Sequence, residues 1–230
     1  MKAELINSVA LAPDIRQFHF SVSELDALKF IPGQFVSLSE TFGEKKVTRA
    51  YSIASLPDGS KTFSICLNRV ADGIFSPHLF ALKPGETVDM KGPLGVFVWK
   101  PERADSVMVA TGTGIVPYRP MLFDALRQGA TERFTLIYGT RHPENLLYLD
   151  EFRALAEQHP NFTFIPTVTR PTDTWSGATG RVQAHVLEAI GDRRDIHLYA
   201  CGLKEMVDSV REIGKELGFD RKQIVFEKYD

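Results

Sequence analysis

One change of pattern, near residue 100, limits what this 230-residue chain can fold into. Before it, short runs rich in Val, Ile, Phe and Thr are broken by turn residues. The runs are "DIRQFHFSV", "GQFVSLSE", "AYSIAS", "KTFSICLNRV", "ETVDMKGP" and "GVFVW", and the breaks are "PG", "FGE", "PDGS", "ADG" and "KPGE". β-branched and aromatic residues between such breaks read as strands. Only "SPHLFAL" has helical spacing. Several short antiparallel strands with one short helix predict a closed or nearly closed β-barrel. After the change, apolar runs ("SVMVA", "FTLIYG", "FTFIPTVT", "IHLYACG", "QIVFEKY") alternate with amphipathic stretches ("PYRPMLFDALRQG", "LYLDEFRALAEQ", "RVQAHVLEAI", "KEMVDSVREIGKEL"). That alternation predicts a parallel sheet covered on both faces by helices. The expected architecture is two domains. An antiparallel β-barrel spans 1–100, and an α/β doubly wound parallel sheet spans 104–230. The length suits two cores better than one, and the charged, Pro-containing link "KPERAD" lies between them.

Composition narrows the function classes. A net charge of −2 with 24% charged residues carries no nucleic-acid footprint and no polybasic membrane anchor. No run approaches the ~20 apolar residues of a membrane span, and the start has no signal-peptide core. The expected setting is the cytoplasm. Two cysteines, Cys66 and Cys201, and six scattered histidines show no CxxC, HxxxH or HExxH spacing. No metal site is expected. A Cys66–Cys201 disulfide is allowed by count and disfavoured by the compartment. The histidines (His19, His78, His142, His159, His185, His197) read as surface or structural residues.

The strongest local signal is "VMVATGTGIVPYRPML". Residues 107–110 are expected to form a strand, Thr111, Gly112, Thr113 and Gly114 a turn, and the helix to start near Pro117. Glycines let backbone N–H groups approach a pyrophosphate, and a helix N-terminus favours negative charge. By itself the loop reads equally well as a tight βα turn. The strand ends add information: "YGTR" places Arg141, "TVTR" places Arg170, and "TGR" places Arg181 at the expected ligand edge. Three guanidiniums there suit the 2′-phosphate of NADP(H).

Six segments in register resemble the ferredoxin–NADP(H) reductase family. They are "RAYS" from Arg49 to Ser52, "GIFSPHLFALKPG", "GPLG", "GTGIVP", "YACGLKEM" and "FEKYD". The resemblance covers nearly the whole chain and implies FAD in the barrel and NADP(H) in the second domain. Arg49, Ala50, Tyr51 and Ser52 correspond to the flavin motif. It implies that Arg49 neutralises the pyrophosphate, Tyr51 lies against the isoalloxazine, and Ser52 hydrogen-bonds N5, the atom that takes the hydride. It implies that Gly73 and Ser76 offer backbone N–H groups to the phosphates, and that Cys201 orients the nicotinamide. Glu227 is implied as a polar or proton partner. Tyr229 is implied to cover the flavin, followed here by Asp230 where plant-type members end on the aromatic. Trp99 and Trp175 read as packing or loop residues.

The implied reaction moves electrons between NADP(H) and a one-electron carrier, ferredoxin or flavodoxin. Two other readings stand beside it: a reductase component that feeds an oxygenase, and a nucleotide-binding regulatory subunit with little turnover. Charge does not choose the partner. Residues 1–100 carry 11 basic and 10 acidic side chains, and residues 101–230 carry 16 and 19. Lys45, Lys46, Lys83 and Lys91 are the candidates for a basic docking patch.

Overall fold

The computed structural model describes residues 1–99 and 104–229. The expected inter-domain link at 100–103 and the terminal Asp230 lie outside the described residues. The chain divides into two compact units, one of Met1–Trp99 with Val116–Asp124 and one of Lys100–Ile115 with Ala125–Asp230.

The first unit holds β1 (Lys2–Ala12), β2 (Ile15–Ser21), β3 (Phe35–Phe42), β4 (Lys45–Ser52), β5 (Thr62–Asn68), α1 (Phe75–Ala81) and β6 (Thr87–Leu94). They form one antiparallel sheet in the order β4-β3-β6-β1-β2-β5. Its two ends meet: Ile53 bridges Ile65, and Ala54 N–H donates to the Ser64 carbonyl at 2.7 Å. The sheet therefore closes into a barrel, which removes its open edges. Inward positions are filled by Phe18, Phe20, Leu38, Ile53, Phe63 and Ile65, all essentially inaccessible to solvent. Each such side chain contributes about 1.5–3 kcal/mol by burial. Phe20 and Phe63 stack with centroids 5.5 Å apart. Helix α1 inserts Phe75 and Leu79 into the same core.

Two expectations for this unit need correcting. Strand β1 carries no clear sequence alternation, because only Ala3 and Leu5 are buried along it and two register shifts interrupt its pairing with β2. Conversely, "GVFVW" at 95–99 is not a strand. Gly95 adopts φ +103, which turns the chain off the extended path after Leu94. Phe97 is buried there against Tyr118 (5.6 Å, edge to face), while its neighbour Val96 is 89% exposed.

The second unit continues with β7 (Ser106–Thr111), α2 (Tyr118–Arg127), β8 (Phe134–Thr140), α3 (Leu149–Gln158), β9 (Phe162–Val168), β10 (Ala178–Thr179), α4 (Val182–Ile190), β11 (His197–Leu203), α5 (Lys204–Glu216) and β12 (Ile224–Tyr229). The first turns of α2 belong to the other unit by contact. The sheet is parallel throughout, in the order β10-β9-β8-β7-β11-β12. Val107, Met108, Val109 and Ala110 on β7 are fully buried, as a strand covered on both faces requires. The chain builds outward from β7 to β10, then returns to lay β11 on the other side of β7. Strand order reverses between β7 and β11, and in open α/β sheets ligands bind at the carboxyl end of such a reversal. Among the described residues no helix is long and apolar enough to cross a membrane.

Candidate functional sites

In the barrel, strand alternation puts Val47, Arg49 and Tyr51 on one face of β4 and Ala50 and Ser52 on the other. Val47 is buried, Tyr51 half-buried and Arg49 exposed. The Tyr51 ring stacks on Phe75 of α1 at 6.2 Å, with 28° between planes. Burial pushes the Tyr51 phenol well above its ordinary range, and the Arg49 charge beside it pulls the other way. Arg49 donates only to the carbonyl of Thr48, at 2.9 Å, and has no carboxylate partner among the described residues. An uncompensated guanidinium beside a flat aromatic surface fits a group that is both planar and anionic. Ser52 is buried at the strand's end, opposite Phe35.

The segment before α1 corrects one detail. Gly73 does not offer its N–H to a ligand; it donates to the carbonyl of Val70 at 3.0 Å. The Ser76 hydroxyl in turn accepts the Val70 N–H at 2.9 Å, so the loop is folded back onto the helix start. The backbone N–H groups of Phe75 and Ser76 meet no acceptor among the described residues, and Pro77 has none to give. The amides of Phe75 and Ser76, rather than that of Gly73, are the ones left without a protein acceptor among the described residues. No sequence signal marks that exchange, because it depends on which carbonyl the loop turns toward.

Of the candidate docking lysines, Lys46 already lies 3.9 Å from Asp89, which Lys2 holds at 2.7 Å. Lys91 sits on β6 opposite Ser37, and Lys46 on β4 opposite Thr41.

In the second unit the glycine loop closes tightly. Thr111 ends β7, and residues Gly112–Ile115, Thr113 and Gly114 among them, form one 3-10 turn before α2. A Cβ on Gly114 would stand 2.2 Å from the Cys201 carbonyl oxygen, so only glycine lets the two strand ends approach this closely. Gly202 (φ +131) packs against Thr111 in the same way, and Thr111 Oγ1 accepts the Leu203 N–H at 3.2 Å. A Cβ on Gly112 would meet nothing within 4 Å. The loop thus presents glycine backbone at the point where strand order reverses, a geometry that suits a phosphate group.

Arg141, Arg170 and Arg181 follow the carboxyl ends of the neighbouring strands β8, β9 and β10. Arg170 N–H donates to the Arg141 carbonyl at 2.7 Å, and Gly180 N–H donates to the Val168 carbonyl at 2.9 Å. All three arginines are exposed, and none has a carboxylate partner among the described residues.

Cys201, Glu227 and Tyr229 also come together. Cys201 pairs with Glu227, and Leu203 with Tyr229, along β11 and β12. Cys201 is fully buried. Burial first, then the Glu227 carboxylate, drive its thiol well above the ordinary range, while a hydrogen bond from the Tyr229 hydroxyl works against them. Cys66 and Cys201 are not bridged to each other.

These features define a class, the two-domain oxidoreductases that bind a flavin and a pyridine nucleotide. Residues 2–99 match the oxidoreductase FAD-binding domain and residues 108–212 the oxidoreductase NAD-binding domain. The chain is 40% identical to ferredoxin–NADP reductase B of Sorangium cellulosum, over 100% of this chain and 97% of that protein. It belongs to the ferredoxin–NADP(H) reductase family. The toluate 1,2-dioxygenase electron transfer component of Pseudomonas putida is 31% identical, over 90% of this chain but 61% of its own length. A crystal structure of a ferredoxin NADP+ reductase from Neisseria gonorrhoeae superposes with a TM-score of 0.85 at 24% identity, over 99% of this chain and 98% of that one. That likeness is one of fold.

Proposed function

We propose that this chain moves electrons between NADP(H) and a one-electron carrier protein, ferredoxin or flavodoxin, as a ferredoxin–NADP(+) reductase of the cytoplasm. The observation that carries the nucleotide half is the trio Arg141, Arg170 and Arg181, three charges without carboxylate partners among the described residues, which follow strands on the same sheet edge as the glycine loop. A 2′-phosphate is what such a set of forks recognises. The carrier half rests on likeness to a ferredoxin–NADP reductase along the full chain.

FAD fits the first unit: Arg49 for its phosphates, Tyr51 for its ring system, Ser52 at the ring edge, and the Phe75 and Ser76 amides for a second phosphate oxygen. When bound it supplies the exchange between two-electron chemistry with a nicotinamide and one-electron chemistry with a carrier. The chain's own part is to bind, orient and exclude water. In this reading Gly112, Thr113 and Gly114 seat the nucleotide pyrophosphate, and the neutral Cys201 thiol gives the nicotinamide a small polarizable contact. Tyr229 and Glu227 flank that thiol.

Anaerobic mixing with NADPH and with NADH, followed at the flavin absorbance, tests the nucleotide half. NADPH should reduce the protein much faster at equal concentration; equal rates would refute the 2′-phosphate assignment. Reconstitution with ferredoxin, flavodoxin or an oxygenase tests the carrier half. A second reading, a reductase component feeding an oxygenase, is favoured by the likeness to the toluate dioxygenase component. Turnover only with an oxygenase partner would select it.

A further inference from the structure

Strand β10 has two residues, Ala178 and Thr179, and the chain turns through Gly180 (φ +98) straight into Arg181, the N-cap of α4. So short a strand, followed by the most permissive of residues, does not by itself aim a side chain. Polar groups from two other elements supply the constraint. Thr167 on β9 is completely buried, and its hydroxyl donates to the Gly180 carbonyl at 3.0 Å. His185, on the first turn of α4, places Nε2 3.2 Å from Thr167 Oγ1 and 3.2 Å from the Thr179 carbonyl.

Donor arithmetic settles the direction of these bonds. A hydroxyl has one hydrogen, and that of Thr167 is spent on the Gly180 carbonyl. A carbonyl can only accept. The imidazole Nε2 therefore carries a proton and is shared between Thr167 Oγ1 and Thr179 O. Both carbonyls immediately preceding Arg181 are held in this way, and the Gly180 N–H is held by the Val168 carbonyl at 2.9 Å. Every polar backbone group of Gly180 is occupied, and the path into Arg181 is fixed on three sides by β9 and α4.

We propose that His185 and Thr167 are specificity-determining positioning residues: they aim Arg181 at the 2′-phosphate without touching the nucleotide themselves. The inference rests on the NADP(H) reading above. His185→Leu removes the shared proton and leaves the Thr179 carbonyl unbonded. His185→Gln can return an amide N–H near the same place. Thr167→Val keeps the buried shape and removes both the donor to Gly180 and the acceptor for His185.

The test is calorimetric binding of 2′,5′-ADP and of 5′-AMP to the FAD-loaded protein. For His185→Leu and for Thr167→Val, the affinity for 2′,5′-ADP should fall about tenfold, a typical loss for one misplaced charge-assisted contact. The affinity for 5′-AMP should hold within a factor of two or so, and His185→Gln should recover most of the loss. If either variant folds and binds 2′,5′-ADP as tightly as the unmodified protein, the positioning role is wrong. If both nucleotides weaken together, the network supports the domain in general and not Arg181, which also overturns it. If the unmodified protein binds 2′,5′-ADP no tighter than 5′-AMP, the NADP(H) reading fails first and takes this inference with it.

Discussion

Arg170 donates its backbone N–H to the carbonyl of Arg141 at 2.7 Å, so two guanidinium-bearing residues leave adjacent parallel strands from one shared hydrogen bond. Their backbone spacing is set by the sheet, and only the side chains adjust to a ligand. Two forks on a common base bind a tetrahedral anion with less lost freedom than two independent loops do. Replacing Arg170 and Arg181 together with Ala should cut kcat/KM for NADPH about a hundredfold, at roughly 1–2 kcal/mol per lost charge-assisted contact. The value for NADH should hardly move. Parallel steady-state measurements with the two nucleotides check this, and an equal loss with both would assign the arginines to something other than the 2′-phosphate.

Gly114 and Gly112 separate collision from strain. Gly114→Ala drives a methyl into the Cys201 carbonyl, 2.2 Å away, and can be relieved only by moving β7 from β11. The expected cost is about 1–3 kcal/mol, the range for overpacking, together with weaker nucleotide binding. Gly112→Ala meets nothing within 4 Å but must hold φ +55, which costs about 1–2 kcal/mol for a residue with a Cβ. Both variants should melt lower, and Gly114→Ala should lose more affinity for NADPH per degree of lost melting temperature. Equal proportions would mean that the strand approach is irrelevant to the site.

The change of pattern near residue 100 was legible because it rests on periodicity, which survives without knowledge of contacts. So were the glycine loop and the three strand-end arginines, since a βα unit puts the residue after each strand at one edge. What escaped the sequence depends on who meets whom. Strand β1 shows weak alternation because most of it faces solvent, and its bulges break the period. The run 95–99 looked extended because Val and Phe alternate, yet one backward-turned glycine overrides them. Gly73 looked like a phosphate contact until the loop carbonyl of Val70 claimed its N–H. His185 shows nothing in sequence, because Thr167 on β9 reaches it only through the pairing of β9 with β10.

Cys201 carries a pH dependence whose sign follows from its burial. Its folded thiol stays protonated well past the ordinary thiol pKa. Below about pH 8.5, both folded and unfolded chains keep the proton and stability is unaffected. Above it the unfolded chain releases the proton and the folded chain does not, so stability falls as pH rises. The slope approaches ~1.4 kcal/mol per pH unit. Urea unfolding at pH 7.5 and 9.5 should show the unmodified protein losing about 1.4 kcal/mol more than Cys201→Ala does over that interval. The same burial predicts that iodoacetamide leaves Cys201 untouched at pH 7.5 until denaturant is added. Rapid native alkylation at this position, mapped by mass spectrometry, would contradict the buried neutral thiol.

Arg49 offers the sharpest test of the barrel site, because no ion pair among the described residues holds its charge. The guanidinium donates to the neighbouring Thr48 carbonyl at 2.9 Å and meets no carboxylate among the described residues, so its removal breaks no ion pair within the fold. Arg49→Gln should therefore leave unfolding nearly unchanged, within about 0.5 kcal/mol for an exposed substitution. It should also weaken FAD retention tenfold to a hundredfold or so, the range for one lost charge-assisted phosphate contact in a partly desolvated place. Arg49→Lys keeps the charge but not the planar fork, and should fall between the two. Flavin fluorescence on serial dilution reads the dissociation constant directly, and the difference between variants should shrink as salt is raised. Retention of FAD by Arg49→Gln at the level of the unmodified protein would remove the phosphates from this arginine, and with them the account of why an exposed cation stands on the same strand face as Val47 and Tyr51.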